Sequence, residues 1–142
     1  MDRVALKADA VVMALALVMP LAANAERVIF TMPSGNIRCL VVSEPLADIT
    51  CEIDQRQGPP VRSFEGSCGG KAEGYGVSMF ANGFAAGLCG RGHVPRRDGV
   101  SLPYGTSMAF PGITCDSSRS GLECRNSKGS GFFLSRRSQR VW

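Results

Sequence analysis

Residues 37–53 read IRCLVVSEPLADITCEI, and they predict two β-strands with a cysteine on each. Segments 37–42 and 49–53 are apolar and rich in β-branched residues, as strands are. Side chains alternate between the two faces of a strand, so Ile49, Cys51 and Ile53 share one face. Because the two strands follow one another, we expect them to pair antiparallel and to bring Cys39 close to Cys51.

Glycine and proline divide the rest of the chain into short segments as well. There are 17 glycines and eight prolines, and no window keeps a 3.6-residue apolar period over three turns. The prediction is an all-β fold, a small disulfide-stapled β-sandwich or barrel of about eight short antiparallel strands. Strands are expected at 27–31, 37–42, 49–53, 75–80, 84–89, 106–110, 113–116, 122–125 and 131–135, with 61–64 as a short edge strand.

The six cysteines are predicted to form structural disulfides. Six cysteines allow many connectivities, and spacing alone does not choose among them. The predicted strands favour pairs that join neighbouring strands or bracket a hairpin. These pairs are Cys39–Cys51, Cys68–Cys89 and Cys115–Cys124. Metal binding or thiol redox chemistry is the alternative, but zinc sites usually show close Cys-x-x-Cys pairs, so neither a metal nor a cofactor is expected.

The first 25 residues are interpreted as a signal peptide that is cleaved after Ala25. A weakly basic start precedes an apolar run at 10–21, and Ala23-Asn24-Ala25 has the small-x-small pattern of a signal peptidase site. An uncleaved anchor is the alternative, but a spanning helix needs roughly 20 apolar residues. We expect a secreted or periplasmic protein without a transmembrane segment after cleavage. Residues 26–142 would form a single disulfide-rich β domain with a short basic tail from about residue 136.

The charge of the chain is mildly basic. The formal net charge is +4, from 16 Lys+Arg against 12 Asp+Glu, without the dense basic stripe of a nucleic-acid binder, so no nucleic acid is expected as partner. Residues 90–100, GRGHVPRRDGV, are predicted to form the longest polar loop. The candidate partner-binding residues in it are Arg91, His93, Arg96 and Arg97, and an ordinary solvated face is the alternative.

No catalytic residue is assigned from the sequence. His93 is the only histidine, and no nucleophile elbow, triad pattern or H-E-x-x-H motif accompanies it. A glycosidase needs two carboxylates across a cleft, and spacing along the chain does not show that arrangement.

The predicted function is that of an exported, non-enzymatic binding or inhibitor-like module of the cell envelope or extracellular space. Its partner would be an envelope protein or a glycan. Small periplasmic β-barrels that inhibit lysozymes are a precedent, by analogy of fold alone. A small cell-wall-directed hydrolase is the alternative, and a structural domain that self-associates is the second alternative.

Several short motifs, in their order, resemble an uncharacterised family of small secreted Cys-rich bacterial proteins, a domain of unknown function. They are PSGNIRC at 33–39, ITCEI at 49–53, a Cys-bounded hairpin, LPYG at 102–105, ITC at 113–115, GLEC at 121–124 and GSGFFLSR at 129–136. The chain departs from the family at Cys89-Gly90-Arg91-Gly92, where members often show Cys-x-Gly-Asp-Thr. It departs again at Ser130, where members tend to have histidine. The resemblance implies export, disulfides and a compact domain, and it implies no activity.

Overall fold

The computed structural model describes residues 26–142 and shows strands, turns and loops there, without a helix. The predicted signal peptide, residues 1–25, lies outside the described residues. No helix in the described part of the chain is long and apolar enough to span a membrane.

The all-β prediction is confirmed. Alternating burial marks the strands that cover the core: in Ile113–Ser118 every second residue from Ile113 is buried. The strands are β1 (Arg27–Thr31), β2 (Ile37–Val42), β3 (Asp48–Ile53), β4 (Gly76–Phe80), β5 (Ala85–Leu88), β6 (Val100–Ser101), β7 (Ser107–Phe110), β8 (Ile113–Ser118), β9 (Gly121–Asn126), β10 (Gly131–Leu134) and β11 (Gln139–Val141).

The strands form two sheets that share one core, as in a sandwich. The first sheet has the order β5-β4-β3-β2-β1-β6, and the second has the order β11-β10-β9-β8-β7. Neighbours pair antiparallel, except that β6 pairs parallel with β1. The chain therefore leaves the first sheet at one edge, after β5, and returns to it at the opposite edge. Residues 89–99 cross five strand spacings, roughly 24 Å, and this crossing positions the candidate site.

Two short strands add to the predicted set, and one predicted strand is absent. Residues 61–64 contain only an isolated bridge between Ser63 and Gly87. The preceding Pro59-Pro60 pair lacks the amide hydrogens that a β-ladder needs. β6 is a two-residue strand with no periodicity to indicate it in the sequence.

The last seven residues, predicted as a basic tail, contain β11. Its pairing with β10 extends to Trp142, whose backbone exchanges hydrogen bonds of 2.9 and 3.0 Å with Gly131. The indole of Trp142 lies so close to Gly131 that a β-carbon there would collide with it. The glycine thus permits the end of the chain to pack on the sheet.

Two of the three disulfides lie in the core between the sheets. Cys39 is the direct partner of Cys51 across β2 and β3, and Cys115 is the direct partner of Cys124 across β8 and β9. All four are fully buried. The third disulfide attaches the long connection 54–75 to the end of β5. The bonds are Cys39–Cys51, Cys68–Cys89 and Cys115–Cys124, the same pairs that the sequence favours. Three disulfides fit an oxidising extracellular or periplasmic environment.

Candidate functional site

Loop 90–100 begins directly after Cys89, so one disulfide fixes its start. Further along, the Val94 side chain is 2% exposed and serves as an apolar anchor under the loop. The backbone N–H of His93 donates a hydrogen bond of 2.6 Å to Oε1 of Glu52 on β3. The crossing loop is thus attached to the sheet it passes over.

Beneath the loop lies a buried ion pair between Arg38 and Glu52. The two residues are direct cross-strand partners on β2 and β3, and Arg38 Nη2 lies 3.9 Å from Glu52 Oε2. Their side chains are only 9% and 7% exposed. Removing a charge from water is costly unless it is paired, and here each charge has a partner of opposite sign.

Asp54, directly after β3, connects Arg38 to the loop. Its carboxylate accepts a hydrogen bond of 3.1 Å from Arg38 and two, of 2.9 and 3.4 Å, from the terminal nitrogens of Arg96. Burial raises the pKa of Asp54, but the hydrogen bonds and charges of Arg96 and Arg38 outweigh burial and hold this pKa below its ordinary value. At neutral pH the group is a carboxylate that binds the loop.

The ring of Tyr75 has two arginines near it. The guanidinium carbon of Arg91 is 3.5 Å from the centre of the ring, and that of Arg56 is 4.8 Å away. Guanidinium groups are attracted to the face of an aromatic ring. Arg91 also donates a long hydrogen bond of 3.4 Å to the carbonyl of Asp54. The Tyr75 ring therefore holds Arg91, as Asp54 holds Arg96.

These groups surround a cavity of about 480 Å³. Its walls include Glu52, Asp54, Tyr75, Arg91 and Arg96. The volume falls in the range of about 300–1,000 Å³ that small-molecule sites occupy. Its lining holds two acidic groups, Glu52 and Asp54, and two basic groups, Arg91 and Arg96, so the cavity offers hydrogen-bonding groups and no strong net charge.

A sequence profile of one protein family matches residues 10–142. The chain belongs to that family of unknown function, DUF6636. The family that the motifs resemble is thereby confirmed. No curated protein and no solved structure matches the chain.

The structure of this DUF6636 member brings together three of the four predicted loop residues. Arg91 and Arg96 line the cavity, and His93 forms the attachment to Glu52. Arg97 is exposed and forms no ion pair with any residue of 26–142. The loop thus has a paired inner side, while Arg97 and the neighbouring Asp98 are exposed.

Sequence reasoning missed the base of the DUF6636 site, which Arg38, Glu52 and Asp54 form. A signal was present for the first two. Because Cys39 and Cys51 are direct partners on antiparallel strands, the residue before Cys39 must lie opposite the residue after Cys51. The predicted disulfide therefore implied an Arg38–Glu52 pair. Its burial depends on the crossing loop, which no local pattern indicates.

The acid–base chemistry available to this DUF6636 site is restricted by its pairing. A general acid at neutral pH needs a raised pKa, whereas the pKa of Asp54 is lowered. Nε2 of His93 lies 2.8 Å from the carbonyl of Cys89 and therefore donates to it. Within residues 26–142, no three or more His, Cys, Asp or Glu side chains are arranged to hold a metal ion.

Proposed function

We propose that the chain is exported behind the signal peptide formed by residues 1–25 and acts as a non-enzymatic binding module. Loop 90–100 is its contact surface. The observation that carries this proposal is the division of the loop into two sides. Arg91, His93 and Arg96 hold the loop on Tyr75, Glu52 and Asp54, while Arg97 is exposed and forms no ion pair within residues 26–142. A loop that is ordered before binding loses less conformational entropy on association.

The exposed guanidinium group of Arg97 favours an acidic group on the partner. Complementary charges steer association and disfavour wrong partners. A glycosidase that acts on the cell wall holds two carboxylates in its cleft, and an exposed arginine on a preformed loop complements such a cleft. The proposed partner is therefore a cell-wall glycosidase, which the loop would inhibit.

The pairing of the acidic groups supports a binding role over the alternative of a cell-wall hydrolase. Glu52 accepts the His93 N–H and pairs with Arg38, and Asp54 is held by two arginines. Retaining and inverting glycosidases need one carboxyl group that stays protonated and a second that is free to attack or to activate water. The lowered pKa of Asp54 does not suit such an acid, and Glu52 is engaged by His93 and Arg38.

A lysis assay tests the proposal. Residues 26–142, with the disulfides formed, are added to bacterial cell walls and a muramidase, and the loss of turbidity is followed. The wild-type chain is expected to slow lysis. Arg97→Glu should raise the half-inhibiting concentration about tenfold or more, because it reverses the charge of the side chain proposed to meet the acidic cleft. Arg62→Glu, the same change at an exposed arginine outside the loop, should leave it unaltered.

Three results of this assay would count against the proposal. Equal loss of inhibition in both variants would indicate unspecific charge effects. Absence of inhibition with every muramidase would exclude the proposed partner class. Release of soluble fragments from cell walls by the chain alone, abolished in Glu52→Gln, would establish the hydrolase.

A patch of exposed aromatic side chains favours self-association as a second candidate function. Phe64, Phe80 and Phe84 are 41%, 52% and 66% exposed, and the rings of Phe64 and Phe84 lie 5.3 Å apart. Exposed apolar groups that cluster mark interaction sites more often than scattered ones. Sedimentation velocity of the same chain, run alone before the lysis assay, separates the two candidates, because only self-association changes the mass with concentration.

A further inference from the structure

A second cavity, of about 450 Å³, lies where turns of the two sheets meet. The β8–β9 turn and the β10–β11 turn supply most of its polar wall, and Tyr104 supplies part of its apolar wall. We call this cavity the serine–arginine groove. The residues that define it are Ser118, Arg119, Ser120, Ser135, Arg136 and Arg137.

The groove has positive charge without any acidic group in its lining. Its three arginines are exposed. The ion pairs of residues 26–142 use other arginines, namely Arg38, Arg96 and Arg125. This groove therefore differs from the cavity under loop 90–100, whose wall contains the carboxylates of Glu52 and Asp54.

The backbone that carries these arginines is fixed by hydrogen bonds. Ser135 Oγ accepts the N–H of Ser138 at 3.0 Å, and the N–H of Ser135 donates to the carbonyl of Ser138 at 2.9 Å. The carbonyl of Arg136 accepts a hydrogen bond of 2.6 Å from the N–H of Gln57. The β10–β11 turn is thus tied both to itself and to the connection after β3.

The β8–β9 turn lies directly against β10. Gly121, at the start of β9, comes so close to Leu134 that a β-carbon would collide with the Leu134 carbonyl oxygen. This close approach places Arg119 beside the turn that bears Arg136 and Arg137. All three arginines therefore line the same cavity.

Tyr104 limits what the groove accepts. The guanidinium carbon of Arg119 lies 5.4 Å from the centre of the Tyr104 ring, so the arginine approaches the ring. Proteins that bind single-stranded nucleic acid stack bases on aromatic faces, and here a guanidinium group competes with a base for this ring. The lining also includes the hydroxyl groups of Ser118 and Ser120, which form a mutual hydrogen bond of 2.8 Å, and the apolar side chains of Met32 and Ile37.

We propose that the serine–arginine groove binds a phosphate ester carried on a saccharide. Guanidinium groups bind phosphate oxygens through paired hydrogen bonds, and three of them without acidic partners suit a multiply charged anion. The cavity is larger than a lone phosphate needs and has the size of a small-molecule site. Serine hydroxyls next to the arginines match the hydroxyl groups of a sugar ring.

The proposal is tested by titration of the ¹⁵N-labelled chain 26–142 with N-acetylglucosamine 1-phosphate, followed by NMR. Arg119→Gln/Arg136→Gln/Arg137→Gln is expected to weaken binding about tenfold or more. The matched control, Arg62→Gln/Lys71→Gln/Lys128→Gln, removes the same charge at exposed positions elsewhere and should bind as the wild type does. The dispersion of the amide signals shows that each variant is folded.

N-acetylglucosamine without phosphate should bind far more weakly, and inorganic phosphate should bind measurably but less tightly than the sugar phosphate. Equal affinity for inorganic phosphate would overturn the saccharide part of the proposal. Equal weakening in the control variant, or no shifts at millimolar sugar phosphate, would overturn the site itself. Arg97→Glu should bind the sugar phosphate normally, so the outcome is independent of the function proposed for loop 90–100.

Discussion

Arg38 and Glu52 are charged residues with less than a tenth of their side chains exposed. The cost of burying these charges depends on the groups around them. Arg38 is nearer to Asp54, at 3.1 Å, than to Glu52, at 3.9 Å. Its Nε has no hydrogen-bond partner among residues 26–142. A buried charge that loses its partner costs several kcal/mol. Asp54 is therefore the group through which the integrity of the site responds to pH.

Asp54→Asn is expected to lower the free energy of unfolding at pH 7 by about 1–2 kcal/mol, the value of charge-assisted hydrogen bonds at a partly exposed site. The folded-state pKa of Asp54 lies below its ordinary value of 3.8. Its stabilising contribution is therefore complete above that ordinary value and is lost as pH falls through the lower folded-state pKa. The difference between wild type and variant should shrink as pH falls below about 4.

Urea unfolding from pH 2 to pH 7 measures this difference. Burial raises the pKa of Asp48, although the charge of Arg27 opposes this shift. Asp48 therefore changes stability with pH in the opposite sense. This effect is the same in both proteins, so it cancels in the difference between them. Asp98→Asn, at an exposed carboxylate of the same loop, is the control and should change stability little. A difference between wild type and Asp54→Asn that stays constant over this pH range would contradict the assigned ion pairs.

At the level of elements, the hairpin strands follow from the sequence, and the connections between distant strands do not. β2, β3, β8 and β9 have the length, the β-branched composition or the alternation that identify strands, and these predicted strands in turn favoured the cysteine pairs. β6 and β11 have two and three residues, too few for a period, and their existence depends on tertiary partners. The dependence on tertiary partners also explains why the sequence indicated the loop residues of the site but missed Arg38, Glu52 and Asp54 beneath the loop.

The disulfide Cys68–Cys89 is expected to stabilise a part of the fold that strands do not. The connection 54–75 has no strand of its own, and the bond attaches it at the point where loop 90–100 starts. By loop entropy, a bond across 21 residues stabilises by about 3 kcal/mol. Cys68→Ala/Cys89→Ala should therefore fold with lower stability and open locally at this connection and loop.

Limited proteolysis with trypsin measures the local opening. The variant should be cut first after Arg56, Arg62, Lys71 and Arg91, while the β-sheets stay intact. The control, Cys115→Ala/Cys124→Ala, removes a bond from the core, where the cysteines are fully buried, and should be cut throughout the chain because it unfolds globally. Identical cleavage patterns would contradict a local role for Cys68–Cys89.

At the level of the domain, residues 26–142 form a small two-sheet sandwich that contains three disulfides. A domain of this size has a limited core, and disulfides commonly supplement such cores. Bonds of this kind persist where the compartment is oxidising. The proposed compartment, the proposed cleavage after Ala25 and the pairing of the cysteines are therefore linked, and one preparation of the protein tests them together.

The full chain, produced with its leader in a bacterium that has a periplasm, is expected to be recovered there with Glu26 as its first residue. Trypsin cleaves after lysine and arginine. It leaves Cys39 and Cys51 on one peptide and places each of the other four cysteines on a peptide of its own, so a digest without reductant distinguishes the possible pairings. The expected products are peptide 39–56 with an internal bond, 63–71 joined to 72–91, and 98–119 joined to 120–125. Mass spectrometry before and after reduction identifies each product. Any bond that joins 39–56 to another peptide would exclude the direct partnership of Cys39 and Cys51, and with it the register that places Arg38 opposite Glu52.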